Sequence, residues 1–548
     1  MNSDKPNSNL FRPLIIGIAI ALGIFIGSGL SKFSSRDGNF LNIQASDKIQ
    51  NIIQYIQKEY VDTVDVSKIE EDAISSLLEQ LDPHSSYLPA RELSMASEQL
   101  EGNFDGIGVE FNIQKDTIMV VAAISGGPSE ALGIHSGDRI VSVENKTVAG
   151  IGIKSEDVIK LLRGKSGTKV RVGVFRPGQK RILDYTITRG KIPLHSLDAH
   201  FMLAPEIGYI RINRFSATTM DEYKKAFAAL KKDGLKKLIL DLRDNPGGYL
   251  NAAVELSDEF LSEGKKIVYT QGKARKREDY NATTEGQFEN GNLAILIDEG
   301  SASAAEIVSG AVQDNDRGWI FGRQSFGKGL VQEEVKFDDG SGLRLTVARY
   351  YTPSGRCIQK PYHKSNDEYF NEISDRLKKG KLMKPDSAPT EKLPLFKTLA
   401  GRKVYGSGGI QPDVFIPMDT SSFTDYLSDI YSKGLLSSFT FYFVDGKRKE
   451  LINKYKNIDF FIASFNPDQV LSGFYAFTEK NGVKQDPVAR SKSSSLIKNQ
   501  IKAMIARILF GNDGYYKMLN QTDQTVIEAI KILKSNQSVI SQQKGKNK

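Results

Sequence analysis

The sequence predicts a multidomain α+β chain, and three observations carry that reading. Its 548 residues exceed what a single hydrophobic core organises. A β-rich stretch with glycine punctuation over 102–190 gives way to strands alternating with helices over 191–418, and helical apolar spacing recurs on either side of these two regions. Apolar residues make up 40% and charged residues 26%, with 48 Gly and 18 Pro, which excludes global disorder and collagen-like repeats. The one cysteine, Cys357, rules out an intrachain disulfide framework or a Cys-rich zinc module. The five histidines, at 84, 135, 195, 200 and 363, include no His-Glu-x-x-His and no pair at metal spacing, so no metal or other cofactor is expected. The net charge of +8 is spread along the chain, with runs at 376–384 and 544–548. Without a concentrated patch, no nucleic-acid partner is expected; solvated surface is the reading, with weak attraction to anionic lipid as the alternative.

Residues 1–31 read as a cytoplasmic tip and a membrane signal-anchor. Pro13–Ser31 carries no charge, is bracketed by Arg12 and Lys32, and as a helix would rise about 28 Å, near the hydrocarbon thickness of a bilayer. The reading is a single-pass inner-membrane protein with its bulk outside the cytoplasm, in the periplasm. A cleaved signal with secretion to the periplasm is the alternative, since Gly27-Ser28-Gly29 offers small residues to a peptidase. Gly23 and Gly27 would let two such helices approach closely.

Residues 32–101 form a helical region: Ile49, Ile52, Ile53 and Ile56 follow helical spacing, as do Ile74, Leu77, Leu78 and Leu81. Asp82-Pro83-His84-Ser85 breaks it, because Pro83 disfavours helix at the residue before it, and His84 reads as a turn or packing residue. Over 102–190, Gly106-Ile107-Gly108-Val109 precedes an alternating strand, 110–113. There follow Ser125-Gly126-Gly127-Pro128, a short helix at 129–132, Gly137-Asp138-Arg139-Ile140, a turn at 145–146 and a second helix at 155–162. Strands 169–175 and 181–188 flank Pro177-Gly178. This order resembles a PDZ domain of the kind found in bacterial proteases. The resemblance implies that N–H groups of Gly106, Ile107, Gly108 and Val109 hold a chain's terminal carboxylate. The peptide would add as a strand, with its last side chain in an apolar pocket.

Over 191–418, apolar runs 207–210, 238–242 and 293–297 have buried-strand length, and helices are expected at 219–232, 252–261 and 303–313. An insertion at 360–403, rich in charge and proline, reads as a surface excursion. Residues 419–548 form a mostly helical extension of unassigned role, with helices at 497–509 and 525–533.

Strand 293–297 runs through Asp298-Glu299-Gly300 into Ser301-Ala302-Ser303-Ala304-Ala305-Glu306, which opens a helix. A serine at such a junction can project its hydroxyl from the sheet end, beside the free N–H groups of the helix start; alone, Ser303 would be an ordinary N-cap. Gly327-Lys328-Gly329 follows, and a desolvated lysine serves as a base to serine, although alone it would be a surface lysine in a glycine turn. Gln332 can aim that lysine only if the chain bends, since residues four apart on a straight strand lie about 13 Å apart. Upstream, Leu240-Asp241-Leu242-Arg243-Asp244-Asn245-Pro246-Gly247-Gly248 closes a strand with tandem glycines, either a plain turn or a turn that aims N–H groups at an anion. Gly322-x-x-x-x-Gly327-Lys328-Gly329 nearly spells a phosphate loop but lacks the hydroxyl after the lysine. Ser166-x-x-Lys169 and Ser495-x-x-Lys498 lack the companion Lys-Thr-Gly.

The three strings together, with Leu81–Tyr87 and Gly408-Gly409-Ile410-Gln411-Pro412-Asp413, resemble the C-terminal processing peptidases over about residues 45–418. The resemblance implies an α/β (ClpP/crotonase-like) core and a serine endopeptidase without cofactor that recognises apolar C-terminal tails of protein substrates. It implies Ser303 as nucleophile, Lys328 as general base and Gln332 as its orienting residue. The oxyanion would meet N–H groups of Ala304 and of Gly247 or Gly248. Ala305 stands where many relatives carry serine. Arg163, at the end of the PDZ helix, is a candidate latch that reports a bound tail. An adaptor protein and a homo-oligomer are both compatible with this reading. Its rivals are a catalytically silent PDZ scaffold and a carrier of hydrophobic small molecules on the same fold.

Overall fold

The computed structural model describes residues 48–362, 366–384, 393–537 and 539–540. The expected anchor at 13–31 lies outside them. Among the described residues, no helix is long and apolar enough to cross a membrane. The chain divides into two compact units, residues 1–77 and 78–548, the boundary falling within helix Val66–Glu79. The first unit also holds helix Lys48–Glu59, as the isoleucine spacing predicts.

In the second unit, Asp82 ends the helical run by accepting the N–H groups of His84 and Ser85 at 2.9 and 3.0 Å and the Ser85 hydroxyl at 2.6 Å. Strand Ser86–Leu88 and helix Ala90–Glu101 follow. The β-rich region is joined by a two-stranded stem, Asn103–Gly106 antiparallel to Gly190–Pro193. Its sheet runs in the order Val109–Gln114, Thr117–Ala123, Arg139–Val143, Lys169–Phe175, Leu183–Thr188, all antiparallel. Val170, Val172 and Val174 alternate inward, and helix Ser155–Leu162 meets them with Val158 and Leu162, four residues apart on one face. Strand Val109–Gln114 stands at the sheet edge.

The following core is built on a six-stranded sheet. Strand Leu197–Ala204 is antiparallel to Ile207–Ile212; then Lys237–Asp241, Asn292–Ile297, Trp319–Gly322 and Val414–Phe415 run parallel. One face of it (Ile210, Leu238, Leu240, Leu293, Ile295) packs on helices Thr219–Lys232, Leu250–Asp258 and Ala304–Asp314. The alternate residues Tyr209, Ile239, Ala294 and Leu296 face the other way and meet Val526, Ala529 and Leu533 of helix Gln524–Ser535. Strands buried on both faces read as continuous apolar runs for this reason. The C-terminal helix is therefore part of this core, a role its sequence did not reveal.

A second, antiparallel sheet carries Leu330–Lys336, Gly342–Tyr351 and Lys266–Gln271, and Ser86–Leu88 pairs with Gly342–Tyr351. The described part of the 360–403 segment keeps an exposed outer face, as its charge suggested, and adds a buried inner one. Lys360 is 6% exposed, and helix Asn366–Lys378 buries Tyr369 and Arg376 against this sheet's neighbourhood. The Lys360 ammonium is satisfied there by the Tyr369 carbonyl at 3.0 Å and lies over the Phe326 ring at 3.9 Å. Helices from Asp425–Ser432 to Pro487–Leu519 form a separate aromatic-rich cluster around Phe461, Phe474 and Ile501. Helix 487–519 contains the expected 497–509 segment and is kinked at Gly511, which has φ 73° and ψ −166°.

Candidate active site

Ser303 stands where the sheet hands over to helix Ala304–Asp314, with φ 53° and ψ −113°, a conformation uncommon for a residue with a Cβ. Glycines make room for it. A Cβ on Gly247 would lie 2.7 Å from the Ser303 Cβ and 2.9 Å from the Ala304 nitrogen, and one on Gly248 would overlap the Phe215 carbonyl. The Gly247-Gly248 turn thus lies against the serine. The Gly247 N–H donates to Asn245 Oδ1 at 2.8 Å, whereas the N–H groups of Gly248 and Ala304 have no acceptor among the described residues.

The helix start is organised by Glu306, a fully buried residue that the sequence reading passed over. Its carboxylate accepts the Ser303 N–H (2.8 Å), the Ser325 hydroxyl (2.5 Å), the Gly327 N–H (2.7 Å) and the Lys328 N–H (2.9 Å). Burial pushes this carboxyl up to about 7 against those hydrogen bonds. Its place three residues after an N-cap serine is the capping-box signature that could have found it. The Tyr350 hydroxyl adds a second tie, within reach of the carbonyls of both Ser303 and Lys328.

Lys328 donates from Nζ to Gln332 Oε1 at 2.9 Å. The straight-strand spacing does not apply, because Lys328 precedes strand Leu330–Lys336; within that strand Val331 opposes Ala348 while Gln332 opposes Thr346, which leaves Val347 of the facing strand as the extra residue of a bulge. Gln332 Nε2 donates in turn to the His84 carbonyl, which fixes the amide so that its oxygen faces the lysine. His84 is held by Tyr369, whose hydroxyl lies 2.9 Å from Nε2, and burial followed by the Lys328 charge lowers the imidazole to about 4. Burial also brings Lys328 down to about 8, with Arg344 adding repulsion. Ser303, Lys328, Gln332, Ala304, Gly247 and Gly248 all line one cleft of about 1100 Å³. Among the described residues no group of His, Cys, Asp and Glu could hold a metal ion.

At the edge strand, the carbonyls of Ile107 and Gly108 accept the N–H groups of Ser129 (3.1 Å) and Ile124 (2.9 Å). Trans peptides then aim the N–H groups of Gly108 and Val109 the opposite way, off the free sheet edge. Gly108, at φ 76°, packs so closely that a Cβ would lie 3.1 Å from Ile192 Cδ1. Arg163 lies beside the start of this loop, where a Cβ on Gly106 would come 3.8 Å from its Cγ. Its Nη1 donates to Glu98 Oε2 at 2.7 Å through one oxygen, and the guanidinium lies 4.4 Å from the Phe104 ring centre. Glu98 belongs to helix Ala90–Glu101, which also lends Ser97, Leu100 and Glu101 to the cleft that holds Ser303.

Residues 206–366 match peptidase family S41, 106–187 the PDZ domain, and 426–511 a family of unknown function (DUF8443). The chain is 35% identical over 344 residues to a probable CtpA-like serine protease of Staphylococcus aureus (strain N315), covering 62% of this chain and 67% of that one. It is 34% identical over 344 residues to the carboxy-terminal processing protease CtpA of Bacillus subtilis (strain 168), covering 63% and 72%. Among solved structures it is similar to a photosystem II D1 C-terminal processing protease, at 30% identity and a TM-score of 0.33, covering 58% of this chain and 84% of that one.

Proposed function

This chain belongs to peptidase family S41, as a PDZ-containing serine protease of the CtpA, C-terminal processing type, and on that premise we propose that it cuts proteins with a Ser303–Lys328 dyad. The carrying observation is the Lys328 amine, half-buried, lowered in pKa and held by Gln332. In its neutral form the amine accepts the Ser303 Oγ proton as Oγ attacks the scissile carbonyl carbon. The oxyanion is met by the N–H groups of Ala304 and Gly248; Gly247 spends its own on Asn245. Collapse breaks the C–N bond, and the Lys328 ammonium returns the proton to the leaving amine. Water, deprotonated by Lys328, then releases the acyl chain from Ser303.

The PDZ domain is taken to select substrates with apolar C-terminal tails, the terminal carboxylate on the Gly108 and Val109 amides and the tail paired to strand Val109–Gln114. Arg163, joined to Glu98, is the route by which an occupied groove reaches the helix bordering the cleft. The uncharged run Pro13–Ser31 supports an anchored, extracytoplasmic placement. Mass spectrometry of protein termini from cells carrying wild-type or Ser303→Ala enzyme tests the proposal. New termini on tail-bearing proteins must disappear with the hydroxyl, and an identical set in both cells would refute it.

A further inference from the structure

The helical module at 425–519 touches both the PDZ domain and the peptidase core. On the PDZ side, Asp445 closes helix Leu435–Asp445, where a carboxylate faces the negative end of the helix dipole. Burial raises its pKa further, and the cations that answer it are Arg448 of its own module and Arg139 of the PDZ domain, the latter at 3.7 Å. The PDZ backbone approaches this carboxylate closely: Gly137 has φ 91°, and a Cβ there would overlap Asp445 Oδ1. A second contact joins Arg507 to Glu110 of the peptide-accepting edge strand at 3.6 Å. On the peptidase side, the His200 N–H donates to Asp513 at 2.8 Å, and the Tyr516 hydroxyl reaches Asp198 at 3.1 Å. Arg211 lies over the Tyr516 ring. Just beyond the module, Asp523 pairs at 2.7 Å with Arg243, five residues before Gly248.

We propose that the 425–519 module is an intramolecular docking surface for the PDZ domain, with Asp445 as its anchor against Gly137 and Arg139, holding the tail-binding groove at a fixed place relative to Ser303. This rests on the tail-selecting reading above. Apart from the module, the described contacts that hold the PDZ domain include its two-strand stem and the Arg163–Glu98 pair. A tail bound to a loosely held domain presents its cleavage site to Ser303 at a lower effective concentration. The expected signature is a weakened KM for tailed substrates with unaltered chemistry.

The test compares the full-length wild type, Asp445→Arg, and the charge-exchanged Asp445→Arg/Arg139→Asp. Asp445→Arg should raise KM for a tailed protein about fivefold, while kcat on a tail-less unfolded protein and the Kd of a free tail peptide stay at wild-type values. The double variant should recover most of the loss. Hydrogen exchange reads the contact without catalysis: protection at 137–139 and at the end of helix 435–445 should fall in the single variant and return in the double. Unchanged exchange in Asp445→Arg would overturn the docking surface whatever the kinetics, and so would a KM change accompanied by an equal change in peptide Kd. If wild type cut tailed and tail-less proteins alike, tail selection itself would fail, and exchange alone would decide the docking surface.

Discussion

Lys328, in the loop that enters strand Leu330–Lys336, and Gln332, on that strand, lie four residues apart, and their side chains meet at 2.9 Å because the chain turns at Gly327, at φ 89°, before the strand begins. The glutamine is anchored from behind by the His84 carbonyl, so the turn at Asp82–Ser85 positions the base from a distant part of the sequence. Gln332→Ala should lower kcat about tenfold with little change in KM, because it removes orientation and leaves the amine. Gln332→Glu should act through charge instead. A carboxylate beside the amine favours the ammonium, so the alkaline-rising limb of the rate profile should move to higher pH. A profile that stays in place would separate Gln332 from Lys328.

The lysine itself sets the limb. With Lys328 lowered to about 8, kcat/KM should rise through pH 8 and level off above it, and chelators should leave the rate unchanged. Full inhibition by a chelator, reversed by added zinc, would contradict the mechanism.

Burial of this amine opposes folding below its folded pKa. Between about 8 and about 10.4 the unfolded chain holds a proton that the folded chain lacks, so stability rises with pH across that window. Lys328→Met should therefore abolish turnover and stabilise the fold at pH 7 by about 1–2 kcal/mol, less than for a fully desolvated cation because the side chain is only half-buried. Denaturant unfolding at pH 7 and pH 10 checks the sign, since the gain should shrink at the higher pH.

Glu306 joins nucleophile and base through their backbones. Glu306→Gln keeps the volume but offers one accepting oxygen where four donors converge, and its NH2 would face at least one backbone N–H, which can only donate. A ten- to hundredfold fall in kcat is expected, roughly the cost of one or two unpaired buried donors. Wild-type kcat in a folded Glu306→Gln protein would remove Glu306 from the account.

Much of this could be read from the chain, for physical reasons. Strands 207–212, 237–241 and 292–297 are buried on both faces, so their apolar runs announce them. Ser303 and Lys328 stood out because glycines and a strand–helix junction mark tight backbone approach. What stayed hidden depends on long-range contact. The His84 carbonyl leaves no trace in residue type, and Tyr369 lay in a segment whose charge suggested solvent although its ring packs on His84. Helix 524–535 shows an ordinary amphipathic pattern that cannot say which sheet it covers. Nor does Arg163 show in sequence that its carboxylate partner is Glu98, 65 positions earlier.

That pair tests the coupling of groove to cleft. Arg163→Ala and Glu98→Ala should each erase the rate advantage of a tailed over a tail-less substrate, and should do so equally, because they break one contact. An unchanged ratio would leave Arg163 as a helix-end charge resting on Phe104.

The most direct measurement is cleavage of a tail-bearing protein by purified wild type, Ser303→Ala and Lys328→Ala, each shown by thermal unfolding to be folded. The account predicts turnover by wild type alone, with a serine-directed phosphonate forming its adduct on Ser303 and failing to do so in Lys328→Ala. Normal turnover by folded Ser303→Ala would contradict it.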